Sequence, residues 1–122
     1  MSVATWLTVD AVLDNFIATE TQLVDGSEAA ENARHLRERG WAQQALHPLR
    51  GQGPVGWPPL DATLGVELSE AELAFVCTHV DDAIGITALL LAGHLHPQVR
   101  VEQEQSMAGL ESVRADLQRL RS

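Results

Sequence analysis

Residues 69–93 read SEAELAFVCTHVDDAIGITALLLAG, and this stretch decides the fold. Ser69 followed three residues on by Glu72 has the spacing of a capping box. In that arrangement the hydroxyl accepts from the N3 amide while the N3 carboxylate reaches back to the cap amide. Directly behind it Leu73, Val76, Cys77, Val80, Ile84 and Leu91 fall on one helical stripe. Asp81 and Asp82 interrupt the stripe, and their position predicts a break into two helices with an aspartate capping the second. From Ala83 onward the segment is apolar nearly all round, which predicts the central, most enclosed element of the fold. Gly93 ends it.

Working outward, residues 47–66 change character. They hold His47 and Pro48, then Gly51, Gly53, Pro54, Gly56, Trp57, Pro58, Pro59 and Gly65. Prolines remove backbone donors and glycines raise the entropy cost of ordering, so this segment reads as one long loop. On its N-terminal side Val9, Val12, Leu13, Phe16, Ile17, Leu23 and Val24 spell a first amphipathic helix, with Thr8 as the expected N-cap and Gly26 as the stop. A second helix is expected from Asp25 or Ser27, where Asp25 and Glu28 repeat the capping-box spacing. Its apolar stripe of Ala29, Ala30, Ala33 and Leu36 is thin, and Gly40 fits the left-handed position after a helix end. A short helical piece over 42–46 follows. Beyond Gly93, Pro97 opens the next element. Val99, Arg100 and Val101 alternate like a short strand, and Met107, Leu110, Val113, Leu117 and Leu120 mark a final helix. The expectation is an all-α bundle of four to five helices with one long Gly/Pro-rich crossover loop, folded as a single helical domain over 1–122.

Composition excludes several chemistries. The 122-residue chain has no Lys and no Tyr, so a Schiff-base lysine, a phosphate-loop lysine and a phenolic acid or base are all ruled out. A formal charge of −9 argues against nucleic acid, whose binding rests on cations that neutralise phosphates. The arginines read as a solvated face, since Glu31 and Arg34, Glu111 and Arg114, and Asp116 and Arg119 share i,i+3 spacing. A lone Cys77 permits no internal disulfide and suits a reducing compartment. Residues 1–33 contain no Arg or Lys, so the basic start of a signal peptide is missing. The apolar run over 83–92 is far short of the roughly 20 residues a membrane span needs. These features predict a soluble, cytoplasmic protein.

Four groups of residues are candidate sites. Residues 51–56 match the letters of the dinucleotide fingerprint G-x-G-x-x-G. A helical piece precedes them, Trp57 and two prolines follow, and Pro54 lacks a donor, so the strand-loop-helix context that binds phosphate is missing. Trp57, Pro58 and Pro59 are either an exposed polyproline ligand for an aromatic groove or a strap folded back over the helices. His79 and Asp82 lie at i,i+3, and with His94 and His96 they offer three imidazoles and a carboxylate for zinc or another divalent metal. Cys77 and His79, at i and i+2, face away from each other on a helix and form no nucleophile-base pair. No catalytic arrangement emerges.

The fourth group is the most interpretable. Asp10, Asp14, Glu20, Asp25, Glu28 and Glu31 precede the first base, Arg34. Asp10 and Asp14 repel at i,i+4, a cost that local helix stability does not explain. An acidic helical face of this kind steers a basic partner, and it also serves as plain solubility. The sequence thus supports a non-enzymatic interaction protein (an adaptor, inhibitor or regulatory subunit) whose partner carries a basic surface. Self-association as a homodimer is a further expectation, because Gly85, Ala88 and Ala92 permit close helix approach. The competing reading is a small metal- or ligand-binding enzyme built on His79, Asp82, His94 and His96.

Overall fold

The computed structural model describes residues 1–23 and 26–121, and it is all-α. Four helices follow in chain order: α1 (Val3–Leu23), α2 (Glu28–Leu46), α3 (Glu70–Ala92) and α4 (Pro97–Arg121). A 3-10 turn at Pro54–Gly56 lies between α2 and α3. Among the described residues there is no strand beyond an isolated bridge between Ser2 and Thr63. Val24 and Asp25, and with them the capping box expected at Asp25 and Glu28, lie outside the described residues.

The chain divides into two compact units, Met1–Leu68 and Ser69–Ser122. In the first, α1 packs on α2 as an antiparallel hairpin: Trp6 meets Gly40, Asp10 meets Arg37 and Glu20 meets Ser27. Val3, Trp6, Val9 and Leu13 of α1 are fully buried, as are Ala30 and Ala33 of α2, with Leu36 nearly so. The thin stripe of α2 has a structural use, because alanines let the backbone of α2 approach the large side chains of α1. Closest approach is at Gly40, where an added Cβ would lie 2.0 Å from Cε2 of Trp6. Gly40 is therefore not a helix end. Helix α2 runs through it to Leu46, absorbing the piece expected separately over 42–46, because Trp6 needs a residue without a side chain there. The indole Nε1 of Trp6 is buried with no acceptor among the described residues. An unmade bond of this kind costs about 1–3 kcal/mol. Burying an aromatic of 150–250 Å² returns roughly 4–6 kcal/mol, so the site is net favourable.

The start of α1 corrects the expected cap at Thr8. The helix begins at Val3, with the amide of Thr5 donating to Oγ of Ser2 (3.1 Å). The free amides of the first turn are satisfied from the segment after α2: Val3 N–H donates to Ala62 O (2.9 Å) and Ala4 N–H to Leu60 O (3.0 Å). Leu64 N–H donates to Met1 O (2.7 Å), and Leu64 is fully buried. Unpaired amides at a helix start demand such acceptors. Residues 60–64 supply them and tie the irregular segment to α1.

In the second unit α3 packs antiparallel on α4, with Asp81 facing Arg114 (3.9 Å) and Leu91 near Arg100. The capping box forms as expected, with Glu72 N–H donating to Ser69 Oγ (3.1 Å) and Ser69 N–H to Glu72 Oε1 (2.9 Å). The break expected at Asp81 and Asp82 is absent, and α3 continues unbroken for 23 residues. Both aspartates are exposed on a helix whose interior bonds are complete, so neither has an amide to cap. Val99 and Val101 lie in α4, not in a strand, after Pro97 has opened that helix. Arg100 donates to Leu91 O (3.1 Å) and Gly93 O (2.9 Å), filling carbonyls left over at the end of α3.

The buried stripe of the unit is Leu73, Val76, Val80 and Thr87 from α3, and Leu110, Val113 and Leu117 from α4. The Thr87 hydroxyl donates to Ala83 O (2.8 Å) and so enters the interior satisfied. Segment 83–92 is not the most enclosed part of the molecule. Ile86 is 58% exposed, Leu89 76% and Leu90 44%.

Candidate functional site

Four acidic residues of α1 and α2, Asp10, Asp14, Glu20 and Glu31, are engaged from within their own unit. Arg37 Nε donates to Asp10 Oδ1 (2.8 Å), its second terminal nitrogen lies 3.4 Å from Asp10 Oδ2, and its first donates to Asp14 Oδ1 (2.8 Å). The same guanidinium lies 4.8 Å from the ring centroid of Trp41. Hydrogen bonding to Asp10 is the largest influence on Arg37 and raises its pKa above the ordinary arginine value; burial acts the opposite way. The i,i+4 repulsion between Asp10 and Asp14 is thereby answered by a cation 27 and 23 residues further on. Glu20 Oε1 accepts from the Ser27 hydroxyl (2.9 Å), and Glu31 pairs with Arg34 (2.6 Å). Glu28 is exposed in the first turn of α2, where its charge suits the helix dipole. Asp25 lies outside the described residues.

Charge is also more even than the first third of the sequence implies. Unit Met1–Leu68 carries nine acids and four arginines, a net −5, against eight acids and four arginines, a net −4, in Ser69–Ser122. The arginines are used locally. Arg39 donates to Glu67 O (2.8 Å), Arg119 pairs with Asp116, and Arg114 turns to Asp81 on α3 instead of to Glu111.

Trp57, Pro58 and Pro59 are folded back. Pro58 is fully buried, while Trp57 and Pro59 are half-buried. Trp57 N–H donates to Pro54 O (3.0 Å), its carbonyl accepts from Gly53 N–H (2.7 Å), and Ala62 N–H donates to Pro59 O (2.9 Å). A Cβ at Gly53 would lie 2.1 Å from Pro58 O, so the segment is a tight turn and not a free polyproline ligand. The amides of the fingerprint-like residues are consumed in this turn, Gly51 N–H by Gly56 O (2.9 Å) and Gly53 N–H by Trp57 O.

His79, Asp82, His94 and His96 do not converge. His79 Nδ1 lies 3.9 Å from Asp82 Oδ2, and the His79 ring packs edge-on against Phe75 with centroids 4.5 Å apart. Because α3 is continuous, about 20 Å of helix axis separates His79 from Ala92 at 1.5 Å per residue, and His94 and His96 lie beyond that end. His94 and His96 are exposed, and His96 Nδ1 accepts from Gln98 N–H (3.3 Å). Among the described residues no group of three His, Cys, Asp or Glu side chains is placed to hold a metal ion. The four-residue metal site is corrected on this ground: the unbroken helix from His79 to Ala92 keeps His94 and His96 away from His79.

What the sequence reading missed is an outward face of α3. This helix is long and apolar enough to cross a membrane by length and composition, yet only 22% of its apolar stretch is buried. Its inward stripe of Leu73, Val76, Val80 and Thr87 has a counterpart on the opposite side: Ala71, Phe75, Thr78, Asp82, Gly85, Leu89 and Ala92. Phe75 and Leu89 are its large apolar residues, and Asp82 lies between them. Ile86 flanks this side, and Val99 and Val101 of α4 are exposed beyond the turn. The signal was present in the sequence, since a helix apolar all round has two faces to cover while a hairpin partner covers one.

Comparison with known proteins adds no relative to these features: no family model matches the chain, no curated protein matches its sequence and no solved structure matches its fold.

Proposed function

We propose that this chain is a non-enzymatic interaction protein, an adaptor, inhibitor or regulatory subunit, active on the aqueous side as a cytoplasmic protein. The observation that carries the reading is the outward face of α3, where Ile86, Leu89 and Leu90 are 58%, 76% and 44% exposed on a helix that folds without them. Exposed apolar surface in a contiguous patch marks a protein-protein contact more often than it marks bare solvent surface. Isolated apolar residues on a surface need no explanation, but Ile86, Leu89 and Leu90 stand together within about one helical turn.

The acidic residues take a secondary role in this reading. Asp10 and Asp14 first hold Arg37, so steering of a basic partner falls to Glu20, Glu28, Glu31 and the exposed edge of Asp14. Residues 47–66 serve as the long Gly/Pro-rich crossover of the helical bundle, and Trp57, Pro58 and Pro59 are assigned to folding instead of partner binding.

Native-size chromatography of extracts from cells making the full chain tests the reading. Wild-type protein is expected to elute in a complex, and the double variant Ile86→Glu with Leu89→Glu to elute at the 13.2 kDa monomer position with its helical circular dichroism retained. Identical elution of wild type and variant overturns it.

A further inference from the structure

We draw no further inference here: the strongest candidate, the outward face of α3 around Ile86, Leu89 and Leu90, belongs to the contact surface already described, and nothing in the structure shows what covers it.

Discussion

Gly40 shows how one residue couples the sequence to the packing. A helical glycine costs about 1 kcal/mol relative to alanine, and the chain accepts it because Trp6 fills the space a side chain would occupy. Gly40→Ala is therefore expected to destabilise the protein by about 1–3 kcal/mol in urea unfolding, despite the better helix former. Gly109→Ala on α4, where nothing lies within 4 Å of the new Cβ, is expected to stabilise by about 0.5–1 kcal/mol. Arg37 is the second such residue. Arg37→Met removes the cation from between Asp10 and Asp14 while keeping much of the contact with Trp41, and it is expected to cost about 1–3 kcal/mol. Val55 runs the other way. It sits at φ 53° with its side chain in water, a conformation that costs a side-chain-bearing residue about 1–2 kcal/mol. Val55→Asn is expected to raise stability by about 1 kcal/mol in the same assay, because asparagine tolerates the left-handed region.

At the scale of elements, α3 explains both what the sequence reveals and what it hides. Its start at Ser69 and Glu72 is legible because both partners of the capping box lie within one turn. The start of α2 at Ser27 is legible for the same reason, its hydroxyl accepting from Ala30 N–H (3.3 Å). The start of α1 is not, because Leu60 and Ala62, which receive its first amides, are remote in sequence. The metal grouping failed at this scale too: side chains that share a face over four residues are separated by the length of a helix that does not break. Enclosure of 83–92 was inferred from apolarity alone, and apolarity measures what a helix must cover, not how much of it one chain covers. Gly85→Ala, with nothing within 4 Å of the new Cβ, is expected to stabilise the protein by about 0.5–1 kcal/mol in thermal unfolding.

For the whole molecule, charge and apolar surface are distributed by unit, and neither follows the first third of the chain. Each hairpin carries its own buried stripe and nearly equal net charge, and the acidic start that stands out in the sequence is partly offset where Arg34 and Arg37 pair with it. The helical class was legible throughout, because periodicity is local. The exposed face of α3 was not, because it is defined by what α4 leaves uncovered. Native-size chromatography of extracts from cells making the full chain weighs this account most directly. It predicts elution in a complex, lost in the double variant Ile86→Glu with Leu89→Glu, which elutes at the 13.2 kDa monomer position. Elution of wild type and variant alike at the 13.2 kDa position would contradict it.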